Sequence, residues 1–281
     1  MGPQFNTPVS FELFPPRNES GRAKLAAGTA EKLAALRPQH FSVTYGAGGS
    51  TKEGTKQTVT DLIKRGWDAV PHISVGIADQ DDTLDLVAYY KKLGVTKILC
   101  LRGDQTESES KTPQHAEDLV RLIRQHFGDH FEVVVGAYPE VHPDSASSQD
   151  DLAFFKRKVD AGADVAITQY FYNIDAYEYF VQQCRNIRID IPIIPGIMPI
   201  TNYASLCRFS EKAGADIPRW LDRAMAQRQD SESDLSKFGI EIVSRLCERL
   251  IDLGAPALHF YTLNRWGATT KICANLGLTA S

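Results

Sequence analysis

The sequence predicts an α/β fold, a single (β/α)8 TIM barrel in which eight parallel strands close inside a ring of helices. Three observations predict it. Eight short apolar runs alternate with longer amphipathic stretches along the 281 residues. Several runs, such as KILCL, EVVVGAY and IPIIPGI, are near-continuous in apolar residues, as in a parallel strand covered on both faces. Most runs begin about thirty residues apart, the length of one βα unit. The length admits two modest domains or one barrel of about 250 residues. No Pro/Ser-rich linker divides the chain, so residues 1–281 read as one catalytic domain, with 1–8 a flexible N-terminal segment.

The first strand, Ser10–Phe14, leads into a helix over Glu19–Leu36 with Leu25, Ala26, Leu33 and Leu36 on one face. The next strands are His40–Tyr45, Asp68–Ser74, Lys97–Arg102, Glu132–Tyr138, Val165–Phe171 and Ile191–Ile197. Each is followed by a helical pattern, in order Lys52–Arg65, Thr83–Leu93, His115–Phe127, Gln149–Ala161, Asp175–Asn186 and Tyr203–Ala213. The interval to the last strand, Ala257–Leu263, is about twice as long and holds an extra short helix, Pro218–Ala226, and a polar connection. The helix Ser233–Leu253 follows, with Leu235, Phe238, Ile242, Leu246 and Leu250 at helical spacing, and Trp266–Asn275 closes the pattern. Gly66, Gly94, Gly162, Gly214 and Gly254 stand just past helices, where a C-cap is expected. Phe154 and Phe209 lie in helical patterns and read as core residues.

The apolar fraction of 43% and charged fraction of 23% are ordinary globular values, which sets aside disordered, collagenous and disulfide-scaffold classes. A net charge of −4 gives no electrostatic footprint for nucleic acid. No apolar run approaches the ~20 residues of a membrane helix, and Met1–Pro8 lacks the features of a secretory signal. Cys100, Cys184, Cys207, Cys247 and Cys273 are scattered without a CxxC pair, as expected of reduced thiols in a cytoplasmic protein.

Active sites of (β/α)8 barrels form at the C-terminal ends of the strands. Glu12 is the sharpest candidate there, a carboxylate flanked by Phe11, Leu13 and Phe14. Desolvation raises a carboxyl pKa and suits it to general acid work; a buried structural partner of an arginine is the other reading. Asp104, after Arg102-Gly103, is either a counter-charge to a cation or a turn and cap residue. Other polar groups gather at strand ends, including Thr44, Tyr45, His72, Tyr138, His142, Gln169, His259 and Arg265. The segment Gly49–Lys56 resembles a phosphate-binding loop with Thr and Lys transposed and is rejected as one, and Gly46–Gly49 lacks the third glycine of the dinucleotide fingerprint. A metal-dependent hydrolase using His72, His142 and His259 is an alternative, as is a non-catalytic binding protein.

Taken together and in order, SFELFPPR at 10–17, SVTYGA at 42–47, LRGD at 101–104, AYPEVHP at 137–143, KRKVDAGA at 156–163, ITQ at 167–169, PGIMP at 195–199 and HFYTLNR at 259–265 resemble the methylenetetrahydrofolate reductase family, in its short bacterial form without a regulatory domain. The resemblance implies a cytoplasmic flavoprotein oxidoreductase of one-carbon and methionine metabolism. It would use FAD to pass a hydride from NADH or NADPH to 5,10-methylenetetrahydrofolate by a ping-pong mechanism. It implies Glu12 as general acid and Asp104 as stabiliser of the cationic folate intermediate. It further implies FAD contacts from Thr44, Tyr45, Ala47, His72, Leu101, Arg102, Gly103, Asp104, Ala116, Tyr138, His142, Asp151, Arg157 and Lys158. Glu12, Asp104, Gln169, Phe209 and Arg265 would meet the substrates, no metal is implied, and the family forms homo-oligomers. Ser205, His115 and Phe154 depart from the family's folate and FAD contacts.

Overall fold

The computed structural model describes residues 6–45, 52–74, 80–102 and 115–278. Strands β1 (Val9–Leu13), β2 (Phe41–Val43), β3 (Ala69–Ser74), β4 (Lys97–Leu101), β5 (Glu132–Ala137), β6 (Val165–Tyr170), β7 (Ile193–Ile197) and β8 (Leu258–Tyr261) close into a parallel barrel in sequence order, β8 pairing back with β1. The predicted fold class is thus the observed one. Each observed strand lies within a residue or two of the predicted one. Most of the differences are residues at the rim, such as Tyr45, Arg102 and Tyr138, where pairing stops and the chain turns outward.

The helices are α1 (Glu19–Lys24), α2 (Glu31–Ala34), α3 (Lys52–Lys64), α4 (Gln80–Lys92), α5 (Ala116–Phe127), α6 (Ser148–Asp160), α7 (Ile174–Asn186), α8 (Tyr203–Ala213), α9 (Arg219–Ala226), α10 (Glu232–Asp252) and α11 (Gly267–Asn275). The extra short helix predicted between the seventh and eighth strands is α9. The predicted helix Glu19–Leu36 differs from the observed one. The first helix is not continuous, because a π-helical segment, Leu25–Ala30, separates α1 from α2. Its wider turn brings Thr29 to the connection after β8, where the hydroxyl donates to the Asn264 carbonyl at 2.9 Å. The cap glycines 66, 94, 162, 214 and 254 all have positive φ, the backbone state that glycine adopts without steric cost.

Two apolar clusters result from strand alternation. The larger, with Phe11, Phe41, Ile73, Cys100, Val135 and Phe260, fills the space between barrel and helices. The smaller, Val70, Leu99, Val134, Val165, Ile167, Ile194 and Ala257, lies inside the barrel. The remaining interior is polar, and its residues, Ser10, Glu12, His40, Ser42, His72 and His259, are all buried. They come from β1, β3, β8 and the residues at and just before β2, so one flank of the interior is polar and the other apolar.

Phe154 and Phe209 are not core residues: they are 39% and 42% exposed. Adjacent helix positions are about 100° apart, and the inward positions next to them are taken by buried Phe155 and Ser210.

Candidate functional site

Glu12 stands on β1 beside Ser42 of β2 and Tyr261 of β8 and is 8% exposed. Two imidazoles approach the same carboxylate oxygen: His72 Nε2 lies 3.6 Å and His259 Nε2 3.9 Å from Glu12 Oε2. Burial pushes the His72 ring down to about 4, against the pull of Glu12, so this ring is neutral at physiological pH and the pair is not an ion pair. Ser10 Oγ lies 2.7 Å from His259 Nδ1 and Ser42 Oγ 3.4 Å from His259 Nε2, which fixes the orientation of that ring. The arginine partner that the structural reading of Glu12 requires is not among its ion pairs with described residues.

The β1 and β8 ends are clasped by Asn264. Its amide accepts from Phe14 N–H and donates to Phe14 C=O, both at 2.8 Å, continuing the ladder one step beyond the strands. Asn264 and Leu263 have φ of 57° and 50°, a left-handed pair that reverses the chain and sets Arg265 at the rim. Thr262 Oγ1 adds a bond to Glu12 C=O at 2.6 Å.

On the opposite side, β4, β5 and α6 assemble a charged wall. Arg102 bonds Asp144 and holds its carboxyl below the ordinary range, chiefly through that hydrogen bond. His142 N–H donates to Asp151 at 3.1 Å, and His142 Nδ1 accepts from Asp144 N–H at 3.0 Å, so its proton belongs on Nε2. Tyr138 packs edge-on against this ring, 4.4 Å between centroids. Lys158 buries its ammonium against the Gly136 carbonyl, and burial pushes it down to about 8 although Asp151 and Glu117 oppose the fall. Arg157 is held by Glu117 at 2.9 Å and lies 4.2 Å over the Phe154 ring. His115, which precedes Ala116 at the start of α5, stacks on the same ring at 6.4 Å.

Gln169 lies on β6. Next to it, Tyr170 bonds Ser210 on α8 at 3.1 Å, beside Phe209. Ala47, Gly103 and Asp104 lie outside the described residues; the other predicted site residues all occupy the C-terminal rim of the barrel or the helices directly behind it. Among the described residues no group of three or more His, Cys, Asp or Glu side chains is placed to hold a metal ion, and no helix is long and apolar enough to cross a membrane.

The wall suits an anionic cofactor bearing phosphates. A largely buried ammonium whose only hydrogen-bond acceptor among the described residues is a carbonyl gains from an added anion, and Arg157 stands one residue away. Two buried atoms at the strand ends, Thr44 Oγ1 and His72 Nε2, have no hydrogen-bond partner among the described residues and could serve a polar ligand. Two features escaped the sequence reading, the Asn264 clasp and the Ser10–His259–Ser42 cluster; both depend on pairings between chain ends that no local pattern marks.

A family model for methylenetetrahydrofolate reductase matches residues 3–277. The 5,10-methylenetetrahydrofolate reductase of Salmonella typhimurium is 37% identical over 272 residues, covering 96% of this chain and 90% of that protein. A protein of Zea mays named methylenetetrahydrofolate reductase (NADH) 1 is 35% identical over 291 residues, 97% of this chain but 48% of its own length. A solved structure from Clostridium thermocellum, described as binding two copies of 5-methyl-5,6,7,8-tetrahydrofolic acid, superposes with a TM-score of 0.65 at 19% identity, covering 97% of this chain and 93% of that one. At that identity the likeness concerns the fold.

Proposed function

The chain belongs to the methylenetetrahydrofolate reductase family, and from that premise we propose that it reduces 5,10-methylenetetrahydrofolate to 5-methyltetrahydrofolate, with bound FAD and with NADH or NADPH as hydride donor. The observation that carries the reading is Glu12, a carboxyl at the barrel mouth with two imidazoles and, among the described residues, no arginine paired to it. The methylene bridge opens only when its leaving nitrogen is protonated. Glu12 donates that proton, the carbon–nitrogen bond breaks, and the resulting iminium accepts hydride at its carbon. Asp104 supplies the anion beside this cation.

The chemistry FAD supplies when bound is a two-electron relay between nicotinamide and folate. Lys158 and Arg157 meet its phosphates, Asp151 its ribose hydroxyls, and Thr44, Tyr45, Ala47, His72, Leu101, Arg102, Gly103, Ala116, Tyr138 and His142 line the remainder. Gln169 and Phe209 serve nicotinamide and folate in turn, which makes the kinetics ping-pong, and Arg265 meets the folate. The name of the maize relative favours NADH.

Purified protein should be yellow. Glu12→Gln should still be reduced by NADH at close to the wild-type rate yet reduce the folate on the order of 10²-fold more slowly, the scale of a lost general acid. A colourless protein that FAD cannot reconstitute would overturn the assignment.

A further inference from the structure

The connections after β5 and after α8 meet at points the mechanism leaves unused. Glu140 Oε2 accepts from the Asp216 backbone N–H at 2.9 Å, across 76 residues of sequence. Pro143 approaches Gly214 so closely that a Cβ there would lie 2.4 Å from Pro143 Cγ. The Tyr170–Ser210 bond ties β6 to α8 alongside. Between Glu140 and His142 sits Val141 with φ of 71°, a left-handed conformation that a β-branched residue adopts only under outside constraint. The constraint is visible on both sides: Glu140 is held to the α8 connection, and His142 N–H is held to Asp151 on α6.

We propose that Glu140 is a positioning residue whose grip on the Asp216 amide couples the loop bearing Tyr138 and His142 to the helix bearing Phe209. This inference rests on the FAD-and-folate reading of the rim, because it makes the two ligand sides move as one.

Among the described residues, Asp216 and Tyr170 are titratable groups that interact with Glu140. Burial pushes the Glu140 carboxyl up to about 7; the Asp216 amide opposes the rise and the Asp216 carboxylate adds to it. A Glu140 swung into solvent returns towards the ordinary value of about 4.3. The closed form therefore binds its proton more tightly than the open one. The clasp is firmest in mild acid and loosens as pH rises through about 7.

Hydrogen–deuterium exchange of the holoenzyme, followed over segments 138–145 and 214–217 at pH 6 and pH 8 and corrected for intrinsic rates, tests this. In the wild type both segments should loosen together, severalfold, between the two pH values. Glu140→Gln keeps a neutral acceptor and should show no such change. Glu140→Ala should loosen both segments at both pH values, release FAD severalfold more readily and raise the KM for methylenetetrahydrofolate severalfold. Loosening of 138–145 alone in the alanine variant, or an equal pH response in wild type and Glu140→Gln, would overturn the proposal. If Glu140→Ala fails to fold, the glutamine comparison still decides. Protein lacking FAD altogether refutes the assigned activity instead, and the exchange pattern then judges the clasp on its own.

Discussion

Glu12 could be singled out from sequence because its neighbours Phe11, Leu13 and Phe14 are apolar, and a carboxylate amid such residues needs a reason. What sequence could not give is the company it keeps: His72 and His259 arrive from strands 60 and more residues away. Asn264 is the clearer instance. Within HFYTLNR it reads as one polar residue among several, yet both its amide atoms serve Phe14, 250 positions earlier. Asn264→Ala removes two hydrogen bonds, leaves a partly buried N–H and C=O unmatched, and puts alanine at a φ of 57°. The expected cost is about 2–4 kcal/mol, measured by urea unfolding. On the proposed reading, in which Arg265 meets the folate, folate affinity should fall as well. A variant with wild-type stability would show that the clasp holds nothing together.

At the scale of elements, whatever is decided locally was legible. Strand runs, helix faces and the capping glycines each depend on a few adjacent residues, and five predicted caps do take positive φ. The π segment Leu25–Ala30 was not legible, since LAAGTA is composed of residues compatible with an ordinary helix and its purpose, the Thr29–Asn264 bond, lies at the other end of the chain. The exposed Phe154 was misread for a related reason: periodicity places two adjacent phenylalanines near one face but does not say which points inward. Helix α6 also carries a testable conflict between stability and function. Lys158 has a folded pKa depressed to about 8, so any stability it contributes is present only above the unfolded value of about 10.4 and is lost as pH falls through 8. At pH 7 its burial is a cost. Lys158→Met should therefore leave the apoprotein as stable as wild type or more so, while weakening FAD binding at least tenfold (about 1.4 kcal/mol). Thermal melts and flavin titration read the two effects separately, and a less stable apoprotein with unaltered FAD binding would refute this account of Lys158.

The whole barrel divides along its axis into an apolar flank and a polar one, and the polar flank makes stability depend on pH. His40 is buried, has no hydrogen-bond partner for either ring nitrogen among the described residues, and lies 6.3 Å from His259. Burial holds it well below the ordinary histidine range, with the charges of His259, Lys97 and His72 acting in the same direction. His72 is likewise depressed, to about 4. Both rings take up protons near 6.5 once the chain unfolds, so the unfolded state binds more protons in the interval below. Their stability is therefore complete above about pH 6.5 and drains as pH falls below it, for His72 by about 1 kcal/mol per pH unit towards 4. Glu140 works the other way over part of this interval, but it is one partly exposed group against two buried rings. The balance predicts a protein that loses stability between pH 6.5 and 5. His40→Phe removes one of the two contributions and keeps an aromatic ring packed on His259. In urea unfolding at pH 8, 6.5 and 5, the variant should match or slightly exceed wild type at pH 8, where only the unmatched nitrogens are gained back. Its advantage should then grow steadily as pH falls from 6.5 to 5. The same difference at all three pH values would mean that His40 does not titrate on unfolding, and the acid sensitivity would then have to come from His72 and the carboxylates alone.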